Sequence, residues 1–420
     1  MLILGIETSC DETAASLLEV KNNKIRVLSN IISSQVKLHA KYGGVVPSLA
    51  AREHVKNLPK VIKLALLTTH YKLQTIDLIA VTCGPGLVSS LLVGTAFAKT
   101  LAWKHNKPII GVNHLEGHVA SNWLKPVREF SILNFKFSKK NQNSGLKAQN
   151  DIFPALCLIV SGGHTELVLM TGIGKYTIIG QTLDDAAGEA FDKIARILKL
   201  GYPGGPAIAA EAEQLSTFNF QLSTKLPRPM LHSKNLDFSF SGLKTAVLYL
   251  ARDLTKIHPL SKIKTAIAVE AQQAIVDVLV SKTMTAAKKY KAKSIMLSGG
   301  VSASKLLRSE LENAAASHKT NFFKPEMEYT TDNAAMIALA GYFGYLTIKK
   351  TEPLNWRSVR VDANLDFNQN EPLPAASSGV SGWAPLQDVS APPTQSHCVL
   401  HPRGKPRGIT DVCNKSKLDR

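Results

Sequence analysis

Two histidines, His114 and His118, stand four residues apart in the run NHLEGH, directly after an apolar stretch that reads as a strand and where a helix should begin. At about 100° per residue their rings lie within roughly 40° of each other on one helix face, the spacing two imidazoles need to share a metal ion. The plain alternative is a pair of solvated or core histidines, and spacing alone does not choose. The run is like a zinc-peptidase motif only in outline. That motif needs a glutamate directly after the first histidine, whereas here Leu115 holds the position and Glu116 points roughly 200° away from His114. A peptidase would have no general base. Asp332, just ahead of a helical stretch, reads either as a helix N-cap or as the carboxylate that completes the histidines' coordination.

A second group of candidates lies in turns. Three apolar strands end in small polar turns, at 7–13, 161–164 (Ser-Gly-Gly-His) and 298–300 (Ser-Gly-Gly). Glycine lacks a β-carbon, so the backbone N–H groups of such turns can approach a phosphate, although tight backbone geometry alone explains many of them. Asp184 and Asp185 precede a helix, where simple capping accounts for them; Asp192 sits deeper and needs another reason.

The elements that must position these groups alternate. Strands are expected at 2–6, 14–20, 26–32, 78–82, 109–112, 154–160, 166–170 and 294–297. Helices are expected at 48–67, 87–103, 186–198, 243–252, 263–289 and 331–346. Strands alternating with long helices argue for α/β architecture. With 420 residues the chain exceeds the roughly 150 of one average domain, so two packed domains are the starting expectation. Composition is 45% hydrophobic, 20% charged and 6% aromatic, which suits a globular chain and excludes a collagen-like or disordered one. No apolar run reaches the roughly 18 residues of a membrane span, and the longest, 334–346, fits a buried helix. The start MLILGIETSC has no basic segment before an apolar one, and Cys10, Cys83, Cys157, Cys398 and Cys413 form no C-x-x-C pair. A reducing cytoplasm fits both. Fifty Lys+Arg against 32 Asp+Glu give +18, a balance that favours a polyanionic partner such as nucleic acid. Part of that excess is terminal: Arg403, Lys405, Arg407, Lys415, Lys417 and Arg420 face only Asp411 and Asp419. Residues 125–150 are polar and weakly periodic, as a surface insertion would be, and 366–420 turn Pro/Ser/Gly-rich, as a disordered tail would be.

Ten runs in order then point to one family. They are GIETSCDET at 5–13, SQVKLHAKYGGVVPSLAAREH at 34–54, GPGLVSSLLVG at 84–94, HLEGH at 114–118 and LIVSGGHTEL at 158–167. DDAAGEAFDK at 184–193, YPGGP at 202–206, FSFSGLKT at 238–245, GGVSAS at 299–304 and TDNAAMIA at 331–338 complete the set. Together they resemble the bacterial TsaD family of tRNA threonylcarbamoyladenosine synthase subunits, over 1–122 and 153–343. The resemblance implies an actin-like ASKHA fold (the actin, sugar-kinase and heat-shock class), two α/β domains with a nucleotide cleft between them. Residues 1–112, with helix 330–347 packing back, would form the first domain and 113–329 the second. It implies transfer of a threonylcarbamoyl group from threonylcarbamoyl-adenylate to the N6 amine of the adenosine beside the anticodon, in tRNAs that read ANN codons, with release of AMP. His114, His118 and Asp332 would hold one divalent metal, Fe(2+) or else Zn(2+). Ile159, Val160, Ser161, Gly162, Gly163, Asp192, Gly205 and Ser304 would line the adenylate site, and Asp11 and Glu12 would handle the amine's proton. The implied partners are tRNA, a TsaB-like paralogue, a TsaE-like ATPase and a TsaC-like adenylate synthase.

The competing reading is an ATP-dependent kinase or ATPase of the same superfamily, and a further one is an inactive TsaB-like subunit. Neither needs two metal-binding imidazoles. One position departs from the family: Ser304 stands where its members carry Asn, and a serine hydroxyl makes fewer hydrogen bonds at shorter reach.

Overall fold

The opening run LILGIE is apolar but for its last residue, and a strand with no polar face must be covered on both sides. The computed structural model, which describes residues 1–132, 152–214, 222–348 and 354–367, buries all six residues as β1 (Leu2–Glu7). β2 (Glu12–Lys21) returns antiparallel to it and β3 (Lys24–Ser34) antiparallel to β2. A short helix α1 (Val36–His39) and a long one, α2 (Pro47–Leu67), lead to β4 (Leu78–Gly84), which lies parallel to β1. Helix α3 (Val88–His105) then carries the chain to β5 (Ile109–Asn113), parallel to β4, and α4 (His114–Ala120) follows at once. β6 (Phe130–Ile132) closes a six-stranded sheet ordered β5-β4-β1-β2-β3-β6.

The same plan recurs further along the chain. β7 (Ala155–Val160) and β8 (Thr165–Gly172) form a hairpin, and β9 (Lys175–Gln181) pairs antiparallel with β8. Helices α5 (Ala187–Ile197), α6 (Gly204–Ala212), α7 (Ser241–Leu254) and α8 (Leu260–Lys289) precede β10 (Ser294–Ser298), which is parallel to β7. Helix α9 (Lys305–Ser317) and β11 (Asn321–Phe323) complete a sheet ordered β11-β10-β7-β8-β9, and α10 (Ala334–Thr347) ends the regular structure. One face of the first sheet packs on α2 and α3 through Leu58, Val61, Ile62, Ala98 and Ala102. Its other face (Ile3, Ala80, Ile110) and one face of the second (Cys157, Ile159, Met170) share a core with α4 and α10. The remaining face of the second sheet is covered by α5, α7, α8 and α9. No helix among the described residues is long and apolar enough to cross a membrane.

Two expectations change. The stretch expected to be a surface insertion from residue 125 instead supplies β6, whose Phe130, Ser131 and Ile132 pair with Arg26, Ile25 and Lys24. Three residues are too few for any period to show. Residues 133–150 of that stretch lie outside the described residues. The disordered tail was expected from residue 366, yet its second residue packs: Phe367 is only 1% exposed, following a segment held by the Asp362 N–H on the Cys83 carbonyl at 2.9 Å. The Phe367 ring sits 5.1 Å from that of Tyr176 on β9. The rest of that tail is likewise outside the described residues.

Phe367→Ala is therefore expected to destabilise the fold by about 3 kcal/mol, as buried Phe truncations do, and a chain cut at Leu365 loses the same ring. Urea unfolding of both variants checks this; full-length midpoints would show that the ring is not part of the core.

Candidate active site

The Asn113 side chain ends β5 by accepting the Leu115 N–H at 2.8 Å, and such a cap contributes about 1 kcal/mol and starts α4 at His114. One turn later comes His118, and the two rings meet edge to face with centroids 4.7 Å apart. What reaches them is the N-terminus of α10. Two glycines allow that approach: a Cβ on Gly117 would lie 2.7 Å from Ile337 Cδ1, and one on Gly5 in β1 would overlap the Ala334 carbonyl oxygen. The cap of α10 is Asn333, whose Oδ1 accepts the Met336 N–H at 3.0 Å. Asp332 is thereby freed from capping. Its Oδ1 lies 3.4 Å from His114 Nε2 and 3.2 Å from His118 Nε2, and one donor atom from each of the three residues falls within 4.8 Å of the others.

Behind His114 stands Glu7, fully buried. Its Oε2 accepts from His114 Nδ1 at 3.1 Å and from the Thr82 hydroxyl at 2.5 Å, while Oε1 accepts the Ser9 N–H. With Nδ1 engaged as donor, Nε2 is the nitrogen presented to Asp332, which is how a buried carboxylate orients a metal-ligating imidazole. Burial by itself would make His114 less basic, but Asp332 and Glu7 outweigh it and hold the ring well above the ordinary imidazole range. Burial is outweighed at Asp332 too, where His114 and His118 hold the carboxyl well below its usual range. His118 is 0% exposed; its Nδ1 makes no hydrogen bond, and its Nε2 meets only the Asp332 carboxylate. An unpaired buried polar group costs about 1–3 kcal/mol. Two imidazoles and a carboxylate with open positions suit a borderline divalent ion such as iron or zinc. The residues fit a metal.

The β1–β2 tip carries Asp11 and Glu12. Ser34 Oγ donates to Glu12 Oε1 at 3.0 Å and the Gln35 N–H to the Asp11 carbonyl at 3.1 Å. Glu12 is pushed up to about 9 by burial and by the like charges of Asp332 and Asp11, so its carboxyl stands protonated near neutrality. Asp11's field also reaches Asp192 and Tyr202, which places the tip opposite α5. On that side Thr165 Oγ1 accepts the Ala187 N–H at 2.9 Å and the Ser161 carbonyl the Gly188 N–H at 3.2 Å, seating α5 on the 161–164 turn. Asp192 Oδ1 accepts the Gly204 N–H at 2.6 Å. Burial raises the Asp192 carboxyl, with the Gly204 N–H opposing. A Cβ on Gly162, Gly163, Gly205 or Gly300 would meet nothing within 4 Å, so these turns face open space and packing does not require their glycines.

The structure thus brings together His114, His118 and Asp332, and sets Ser161, Gly162, Gly163, Asp192 and Gly205 around α5. Ile159 and Val160 are fully buried β7 residues whose side chains belong to the core and whose strand lies between β10 and β8, so neither offers a side chain to a ligand. Ser304 Oγ accepts the Leu307 N–H at 3.4 Å as the cap of α9, beyond a turn whose Gly299 backs onto Val160. The expected capping of α5 by Asp184 and Asp185 is not found. Asp184 instead accepts the Phe240 N–H at 2.8 Å and the Ser239 and Ser241 hydroxyls at 2.6 Å, holding the start of α7, and Asp185 binds Lys193 at 2.6 Å. Sequence reasoning missed Glu7; the signal was there, a lone acid in an otherwise apolar strand.

Two sheets of one plan, with glycine turns facing open space, define an actin-like ASKHA fold. Solved structures share it at low identity. Full-length HypF in a phosphate- and nucleotide-bound form is 11% identical with a TM-score of 0.50, over 83% of this chain and 47% of that one. HypF of T. kodakarensis is 12% identical with a TM-score of 0.50, over 82% and 47%. Within that class the chain belongs to the TsaD family: the family's sequence profile, described as tRNA N6-adenosine threonylcarbamoyltransferase, matches residues 26–133 and 141–339. A protein of that name from Thermosipho melanesiensis is 47% identical over 81% of this chain and 94% of its own length. Another from Thermomicrobium roseum is 46% identical over 89% and 97%.

Glu7→Gln is expected to weaken divalent-metal affinity about 10- to 100-fold, as loss of an orienting carboxylate does, with the fold retained. Equilibrium dialysis with elemental analysis checks it, and unchanged affinity would remove Glu7 from the metal's support.

Proposed function

We propose that this protein transfers the threonylcarbamoyl group of threonylcarbamoyl-adenylate to the N6 amine of the adenosine beside the anticodon in tRNAs reading ANN codons, releasing AMP. The observation that carries the reading is the buried His114, His118 and Asp332 set, with an unpaired Nδ1 on His118, together with glycine turns that face open space. A kinase or ATPase of this fold would use the turns but gives no work to a buried imidazole pair.

The bookkeeping of the transfer is short. The amine nitrogen bonds to the carbamoyl carbon, the bond from that carbon to the phosphate oxygen breaks, and one proton leaves the amine. Backbone N–H groups of Gly162, Gly163 and Gly300 are assigned to the phosphate, while the Ser161 N–H closes the turn on the His164 carbonyl at 2.8 Å and Ser161, Ile159 and Val160 line the same wall. Asp192, Gly205 and Ser304 take the adenosine. Asp11, between the triad and Asp192, is placed to receive the amine's proton, with the protonated Glu12 beside it on the tip as a hydrogen-bond donor. A divalent cation on His114, His118 and Asp332, iron(II) in our reading with zinc(II) second, supplies when bound a Lewis acid for negative charge developing on the carbamoyl group. The partners are tRNA, a TsaC-like adenylate synthase, a TsaE-like ATPase and a TsaB-like paralogue. Exposed Val55, Leu64 and Leu67 on α2 and Leu92 on α3, helices that pack side by side, support a paired subunit there. Such a reaction takes place where tRNA is, in the cytoplasm.

Mass analysis of tRNA nucleosides after incubation with threonine, bicarbonate, ATP and the partner proteins tests the reading. Threonylcarbamoyladenosine should form with the wild-type chain and not with His118→Ala; no product from the complete wild-type mixture would refute it. Ser304→Asn keeps a good helix cap and adds reach, and one further hydrogen bond of about 0.5–1.5 kcal/mol tightens AMP binding two- to tenfold. Calorimetric titration reads this directly, and equal affinity would place residue 304 outside the adenosine pocket.

A further inference from the structure

Segment 35–46, between β3 and α2, has no part in the reaction above, yet it is built with unusual care. It starts at the catalytic tip, where the Gln35 N–H donates to the Asp11 carbonyl at 3.1 Å. His39 fills its interior, fully buried, with Nε2 3.1 Å from Gln35 Oε1 and Nδ1 accepting the Val46 N–H at 3.3 Å. Gln35 continues the chain of contacts to His54 at 3.4 Å, and His54 holds the Thr13 hydroxyl at 2.8 Å and the Cys10 carbonyl at 2.9 Å. At its far end the Gly43 carbonyl accepts from the Arg196 guanidinium on α5, one turn beyond Asp192. A polar network thus fixes this segment between the tip that carries Asp11 and Glu12 and the helix that carries Asp192. Its outer surface is Lys37, Lys41 and Tyr42, all exposed, with the Tyr42 ring 61% accessible.

The other exposed aromatic side chains among the described residues stand elsewhere. Trp103 is on α3, Tyr345 on α10, and Tyr249 on α7 lies under the Arg252 guanidinium at 5.0 Å. An enzyme that works on the exocyclic amine of a base in an RNA loop must have that base splayed out of its stack, and the neighbours it leaves need a surface to rest on. An exposed aromatic ring on a fixed segment that also exposes two lysines offers stacking to a base and charge to the flanking phosphates. We infer that Tyr42, with Lys37 and Lys41, is the platform on which the single-stranded RNA loop bearing the acceptor adenosine docks, an unpaired base stacking on the Tyr42 ring. This rests on the proposed transfer to tRNA. The net charge of +18 favours RNA over a protein occupant.

The test is a fluorescence-anisotropy titration of the full-length chain against a labelled, unmodified tRNA transcript with adenosine after the anticodon, repeated over a range of KCl. Tyr42→Ala should weaken binding about tenfold while Tyr42→Phe, which keeps the ring, stays near wild type. Converting Lys37 and Lys41 to Gln should lower the slope of log affinity against log salt by about 0.7 per lysine. AMP affinity should be unchanged in every variant, which a collapsed loop would not allow. Wild-type RNA affinity in Tyr42→Ala, or equal losses in the Ala and Phe variants, would overturn the platform. So would loss of a protein partner with RNA binding intact. Failure of the functional reading shows separately, as RNA binding by the wild-type chain with no threonylcarbamoyladenosine formed.

Discussion

A carboxylate has to be held among buried imidazoles, and the rest of the site depends on how closely backbone can approach backbone to put it there. Asp332 precedes α10, and α10 reaches β1 and α4 only because Gly5 and Gly117 carry no side chain at the two contacts. Burying charged groups is costly unless they are paired. The cluster meets that requirement with alternating signs: Glu7 faces His114, and His114 and His118 face Asp332. His118 keeps an unpaired Nδ1 and turns Nε2 only to Asp332, an arrangement of donor atoms that fits a cation.

The two sheets divide the work. The first, with α4 and α10, provides the ligand set and the acidic tip; the second provides turns whose glycines look onto open space and a carboxylate, Asp192, tied to the first N–H of α6. Because both sheets share the core formed around α4 and α10, the His114, His118 and Asp332 set lies at their junction. Segment 35–46 joins the same two halves from outside, through Asp11 at one end and Arg196 at the other.

Much of this was legible where the signal is local. The His114 and His118 spacing is a helix period, the two hairpins are apolar runs around polar tips, and the long helices repeat their apolar positions often enough to be read. The ten runs named the family, and with it Asp332, but spacing alone left that residue between cap and ligand. Asn333 occupying the cap rules out the first of the two. Glu7 was passed over because an acid at the end of an apolar strand looks like the start of a turn, and its partner Thr82 is 75 residues away. The strand Phe130–Ile132 was too short for a period. Phe367 fell within the tail expected to be disordered, because its packing rests on a single long-range contact with Tyr176, which no pattern announces.

The central claim is that His114, His118 and Asp332 form one divalent-cation site. Titration of the purified chain with Co(2+), followed by its visible absorption, tests this most directly, because the band reports the ligand field as well as the amount bound. The account predicts one equivalent bound by the wild-type chain, and at least tenfold weaker binding with an altered band in Asp332→Asn, where a neutral amide replaces the anionic ligand. The same stoichiometry, affinity and spectrum in both proteins would contradict it.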